Sequence, residues 1–227
     1  MSNGLSVIQS MGILEKMDIQ KETNNPSADG PAENNSSTPA QENKKGSFGE
    51  FIKFIVIAAV IVIPFRMFIA QPFVVNGASM DPTFESGEYL IVDQLTYQFE
   101  SPKRGSVLIF RYPKDPKKFF IKRIAGLPGE TLELRGEIIT IKNSDHPEGF
   151  QLDEPYLKYT RADNMTVVLG PDEYFVLGDN RQASSDSRVW GTLPENLIVG
   201  RPIIRLLPPN KIDWLPGDYS ENIEKNN

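Results

Sequence analysis

Cysteine is absent from the 227 residues. That excludes a cysteine nucleophile, a disulfide framework and a thiolate zinc site, and leaves the compartment open. Histidine is nearly absent as well. The single one, His146, lies in Asn143-Ser144-Asp145-His146-Pro147-Glu148-Gly149, a polar turn composition that favours the surface. A two-histidine zinc site cannot be built, and any serine catalysis calls for a base other than imidazole. Positive charge is in deficit: 24 Lys and Arg face 30 Asp and Glu, for a net charge of -6. Phosphate-backbone binding needs a basic surface, so nucleic acid is excluded as a partner. No metal and no cofactor is expected. Repeats at solenoid periods are also missing.

Large apolar residues are scarce at the start of the chain. Leu5 to Ile19 has apolar spacing that would suit a short helix, but Glu22 to Lys45 is mostly Asn, Ser, Pro, Ala and Glu. Such composition buries too little surface to offset chain entropy, so residues 1–47 are read as a disordered tail. Hydrophobicity then rises abruptly in Phe51 to Ala70. The charge-free part, Phe54 to Phe65, is 12 residues, short for a span on its own. Lys53 and Arg66 flank it, where long side chains snorkel to headgroups. As a helix, the 20 residues from Phe51 to Ala70 would reach about 30 Å, the thickness of the hydrocarbon core. A cleavable signal peptide would begin near residue 1, and a buried core helix would carry a polar face. The segment 48–70 is therefore read as one retained transmembrane helix. Lys44, Lys45 and Lys53 on its N-terminal side place Met1 in the cytoplasm and the rest of the chain outside.

After Pro72 the texture becomes β. Phe73 to Val75, Tyr89 to Val92, Val107 to Tyr112, Phe119 to Ile124, Glu137 to Ile141, Thr166 to Leu169, Tyr174 to Leu177 and Ile203 to Leu206 are short β-branched or aromatic runs. Gly, Pro, Asp and Asn turns separate them. The pattern predicts a curled, largely antiparallel β domain over residues 71–215, with a small insert at about 131–174 and a polar tail at 216–227.

Three elements could carry chemistry. Ser79 lies in Gly77-Ala78-Ser79-Met80-Asp81-Pro82-Thr83, at a strand end entering a turn and close to the apolar segment. Extended geometry puts Phe73, Val75, Gly77 and Ser79 on one face; a turn serine capping its own backbone has the same appearance. Lys122 lies in Phe119-Phe120-Ile121-Lys122-Arg123-Ile124. Desolvation by such neighbours would lower its pKa and make it a base for a serine, whereas on an edge strand it would snorkel instead. The third element is Gly178-Asp179-Asn180-Arg181, followed by Ser184, Asp186 and Arg188. It reads equally as a solvated loop or as a neutral hydroxyl and an ion pair arranged around a lysine.

Taken together, the order and spacing of these elements resemble bacterial type I signal peptidases (leader peptidases), over roughly Phe51 to Pro208. The resemblance implies a mainly β protease fold of the signal-peptidase and repressor-protease type, with an apolar rim resting on membrane lipid. It implies a Ser/Lys dyad: Ser79 as nucleophile and Lys122 as general base. Ser184 would orient the lysine, Asp186 with Arg188 would hold the local architecture, and Arg123 would be structural. Ser79 N–H, with Gly77, would form the oxyanion hole, and Phe73, Val75, Met80 and Ile121 would shape the substrate pockets. The substrates would be secretory preproteins with small residues before the cut, processed at the outer face of the bacterial inner membrane. One departure stands out. Many members carry a hydroxyl residue two positions before the nucleophile, where this chain has Gly77; a serine restored there is expected to be tolerated. A self-cleaving repressor-type protease would need DNA-binding helices that residues 1–47 do not suggest, and a binding module without catalysis would not need Ser79, Lys122 and Ser184 together.

Overall fold

The computed structural model describes residues 7–10, 45–68 and 70–220. Two compact units divide the chain, one made of residues 12–63 and the other of residues 1–11 and 64–227. Helix α1 (Lys45–Phe68) covers most of the expected span. Phe51, Phe54 and Val60 are well exposed on it. Among the described residues no helix is long and apolar enough to cross a membrane.

The second unit is built of antiparallel strands. Its larger sheet comprises β1 (Val7–Ser10), β2 (Ala70–Val74), β3 (Tyr89–Asp93), β4 (Val107–Tyr112), β5 (Asp115–Gly126), β10 (Glu173–Leu177), β11 (Leu193–Pro194), β12 (Ile198–Leu207) and β13 (Asp213–Trp214). The strand order is β1-β2-β3-β12-β4-β5-β10-β11, with β13 alongside β12. Because β1 also pairs with β5 (Val7 opposite Phe120, Ile8 opposite Phe119), the path returns on itself and the sheet curls closed. A smaller sheet, inserted between β5 and β10, has the order β8-β7-β6-β9 and consists of β6 (Thr131–Gly136), β7 (Ile138–Lys142), β8 (Phe150–Gln151) and β9 (Asp163–Val168).

Packing follows from strand alternation. Phe73, Phe84, Leu90, Val92, Ile109 and Ile121 form one buried cluster. Residues of β4, β5 and β10 pointing the other way, among them Phe110, Phe120 and Val176, form a second with Trp190 of the short helix α2 (Ser187–Trp190). A third joins Leu132, Leu134, Ile139 and Ile141 of the small sheet to Ala125, Phe175 and Leu177. Each fully buried side chain of this size contributes about 1.5–3 kcal/mol. β5 thus lies between β4 and β10 with apolar clusters on both faces, which is what removes Lys122 from water.

All eight strand segments read from the sequence lie in or across observed strands. The expected short helix over Leu5 to Ile19 is corrected where the structure describes it: Val7–Ser10 is a strand, because the edges of β2 and β5 both offer it backbone hydrogen bonds. The rest of that segment, most of the tail expected to be disordered and residues 221–227 lie outside the described residues.

Candidate active site

Strand β2 ends at Val74 and the chain continues as a clamp. Val75 N–H donates to Glu88 O (2.9 Å), and Gly87 N–H donates to Val75 O (2.8 Å). That fixes the start of the turn carrying Ser79. The turn is held at its far side by Phe84 N–H on Met80 O (2.9 Å) and by Asn180 N–H on Ser79 O (3.0 Å). The second bond ties the first sequence element to the third.

Lys122 comes from β5. Its Nζ is 2.5 Å from Ser79 Oγ and 2.8 Å from Ile121 O, and it lies 5.5 Å from the centre of the Phe120 ring. Lys122 and Ser79 are both 0% exposed, so the snorkelling alternative does not hold. Burial pulls the lysine pKa down to about 8, the carboxylates of Asp186 and Asp179 work against that, and Arg188 adds to it. With a pKa of about 8, about a tenth of the lysine is neutral at pH 7, some two hundred times the fraction of an ordinary lysine.

Around this pair the charged side chains are buried and matched. Arg123 donates to both oxygens of Asp179, from Nε at 2.8 Å and Nη2 at 2.6 Å. Its other nitrogen donates to Gly105 O at 2.7 Å and to Gly217 O, and its guanidinium lies over the Tyr156 ring at 3.9 Å. Thr83 donates to the same Asp179 at 2.6 Å. Asp179 therefore joins the serine turn to the lysine strand. Arg188 grips Asp186 with Nε and Nη2, both at 2.8 Å. Burial alone would push the Asp186 carboxyl up, but the Arg188 bonds and charge, with the Gly178 N–H, hold it below the usual carboxylate range. Arg181 pairs with Glu154 and donates to Gly178 O at 3.1 Å.

Two glycines are required by the geometry. A Cβ at Gly178 would collide with Ser184 Oγ and with Ser79 O, so only glycine lets the third element approach the nucleophile this closely. Gly77 has φ of +101°, a region that costs an L side chain about 1 kcal/mol or more. The expectation that Gly77→Ser is tolerated is therefore corrected: the backbone there is left-handed. The Gly77 N–H is also directed at Ser86 Oγ (3.3 Å).

Ser79, Lys122, Arg123, Ser184, Asp186 and Arg188 are brought into one cluster by the contacts above. Ser184 Oγ is buried, and its hydroxyl helps to hold the Asp186 carboxyl low, whereas the bonds of Lys122 go to Ser79 and Ile121. Phe73, Val75, Met80 and Ile121 belong to a single buried cluster. A cavity of about 440 Å³ lined by Tyr97, Arg201, Trp214 and Asp218 contains neither dyad residue. The sequence reading missed Thr83, Asp179, Glu154 and Asp163. Thr83 and Asp179 stand inside the motifs that flagged the site, whereas Glu154 and Asp163 carry no local signal.

Comparison with known proteins adds to this geometry. The family model described as signal peptidase, peptidase S26, matches residues 48–207. The chain is 35% identical over 170 residues to a protein named probable signal peptidase I-1 from Synechocystis sp., covering 71% of this chain and 84% of that one. It is 35% identical over 183 residues to signal peptidase I of Bacillus licheniformis, covering 75% and 94%. It is 38% identical over 156 residues to signal peptidase I P of Bacillus subtilis subsp. natto, covering 64% and 80%. The chain belongs to the signal peptidase family, peptidase S26.

Proposed function

We propose that this member of the family is a membrane-bound serine endopeptidase that removes N-terminal signal peptides from exported preproteins, with Ser79 as nucleophile and Lys122 as general base. The observation that carries the reading is the 2.5 Å contact between Lys122 Nζ and Ser79 Oγ in a fully buried setting. Neutral Lys122 takes the hydroxyl proton as Ser79 Oγ attacks the scissile carbonyl. Ser79 N–H stabilises the oxyanion. The protonated lysine then gives its proton to the departing amine, and the acyl-enzyme remains. Water loses a proton to Lys122 and attacks the ester, and the lysine returns that proton to Ser79 Oγ as the signal peptide leaves with a new carboxylate. Arg123 and the Asp186–Arg188 pair hold the surrounding frame, and Ser184 supplies a neutral hydroxyl beside it. Phe73, Val75, Met80 and Ile121 form the apolar wall that limits the substrate to small side chains near the cut.

The substrate would bind as an added strand. Support comes from β1, whose four residues lie between β2 and β5 and pair with both; that slot accepts an extended chain. The location follows from the sequence. Phe51 to Ala70 would cross the bacterial inner membrane once, with Met1 in the cytoplasm and Ser79 outside, and exposed Phe51, Phe54 and Val60 would meet lipid. In that topology residues 7–10 would lie across the bilayer from Ser79, away from the place between β2 and β5 that they take in the structure. The slot is then open to a preprotein as its signal peptide leaves the membrane.

The test uses the full chain in detergent with a labelled preprotein. The expected product begins just after a small residue, and Ser79→Ala abolishes it while the circular dichroism spectrum is kept. Cleavage retained in Ser79→Ala would overturn the reading, as would a preprotein that is bound but never cut.

A further inference from the structure

The ion pairs around Lys122 form a chain that ends on the small sheet. Arg123 is matched by Asp179 and Arg181 by Glu154. Arg188 has two partners. Nε and Nη2 hold Asp186, and the remaining nitrogen, Nη1, reaches Asp163 Oδ2 at 2.7 Å. Three buried guanidiniums thus meet four carboxylates, and the more exposed Arg161 adds a fourth cation, its Nε lying 3.3 Å from Asp163 Oδ1. Asp163 opens β9, an edge strand of the small sheet, and belongs to none of the sequence motifs. It is nevertheless nearly buried: its side chain is 13% exposed against 3% for Arg188.

The order of contacts gives Asp163 a route to the dyad. Asp186 accepts the Gly178 N–H at 3.1 Å, and Gly178 packs directly on Ser79 O and Ser184 Oγ. We propose that Asp163 is a positioning residue of the dyad: by engaging the remaining corner of Arg188 it holds Asp186 under Gly178, and its charge tempers the repulsion that Arg188 exerts on a protonated Lys122. The inference rests on the reading of Lys122 as the general base. It gives the small sheet, otherwise remote from the chemistry, a part in setting when that base is neutral.

The sign follows from the groups that face the lysine. Asp186 and Asp179 favour its charged form; desolvation and Arg188 oppose it. Arg123 is already matched by Asp179, and the rings of Tyr156 and Tyr219 lie against Arg123. Removing the Asp163 charge leaves Arg188 with one counter-charge, so Arg188 acts more strongly on Lys122. The neutral lysine becomes more favourable and its titration moves to lower pH, by about half a unit or less across this separation.

The experiment is a titration of the Lys122 side chain by carbon-13 NMR in the full chain, labelled at lysine Cε and assigned with Lys122→Met. Asp163→Asn should lower the midpoint, Asp163→Glu should restore it, and Glu133→Gln, which removes a carboxylate elsewhere on the same sheet, should leave it unchanged. The same midpoint in wild type and Asp163→Asn would overturn the proposal, as would a rise; a loss of thermal stability alone would mark Asp163 as merely structural. Preprotein cleavage measured on the same samples separates the two claims. A shifted midpoint in a protein that never cleaves would sink the peptidase reading and leave the coupling. Normal cleavage without a shift would sink the coupling alone.

Discussion

The two sheets treat charge in opposite ways. In the small sheet, β7 and β9 alternate between more and less exposed positions, and its Lys142–Glu133 pair stays at the surface, 37% and 29% exposed. In the curled sheet, Lys122 sits mid-strand at 0% exposure with Arg123 beside it at 1%. The strands of both sheets pair antiparallel, so the pairing mode does not explain the difference. What differs is surroundings: β5 is covered on both faces and flanked on both edges, and a cation there titrates far from its ordinary range. A surface pair such as Lys142–Glu133 contributes about 0–1 kcal/mol. Moving a lysine pKa from 10.5 to about 8 costs about 3 kcal/mol of stability at neutral pH. The curled sheet bears a cost that the small sheet never meets, and it does so at the one position where a neutral lysine touches a serine.

Lys122→Met should break the contrast most visibly. Cleavage is expected to fall by about 10³-fold or more, as for other loss of a catalytic base. Stability should rise at the same time, by about 3 kcal/mol near pH 6–7. The folded lysine has the lower pKa, so its penalty is complete below about 8 and fades as pH rises toward 10.5. Chemical denaturation of both proteins between pH 6 and pH 10 should therefore give curves that converge at high pH. A variant no more stable than wild type at pH 6 would mean that the lysine is not desolvated.

Gly178→Ala asks whether the close approach of the third element matters for chemistry. The new methyl group would push on Ser79 O and Ser184 Oγ, and a misplacement approaching 1 Å costs about 10²-fold in rate. Single-turnover cleavage should show the loss in the chemical step. An unchanged rate would show that the serine turn can shift without consequence. At the small end, Glu133→Ala on the other sheet should change stability by less than about 0.5 kcal/mol and leave cleavage untouched. A larger effect would mean that the small sheet's surface is less passive than its exposure implies.

Legibility in the sequence cut across the two sheets. The strands of the curled sheet were readable because runs such as Val107 to Tyr112 and Tyr174 to Leu177 are β-branched or aromatic and end at turn residues. β6 was missed: Thr131-Leu132-Glu133-Leu134-Arg135 is rich in helix formers, and only pairing with β7 and β9 makes it a strand. β1 was read as helical because its partners lie far along the chain. For the site, Ser79 and Lys122 were each ambiguous alone; it was the joint resemblance of three elements that singled them out, and their meeting across 43 residues is a product of the sheet. The left-handed backbone at Gly77 and the reach of Asp163 to Arg188 are set by tertiary geometry and leave no trace in local composition.

The central claim is that a desolvated, partly neutral Lys122 is the base for Ser79. Its most direct test is the pH dependence of kcat/KM for preprotein cleavage by the full chain in detergent, which reports the ionisation of the unliganded enzyme. Only the neutral lysine accepts the serine proton, so the rate should climb tenfold per pH unit on the acid side and level off above a midpoint near 8. A profile that is flat from pH 6 to pH 9, or one that is still climbing toward 10.5, would contradict the account.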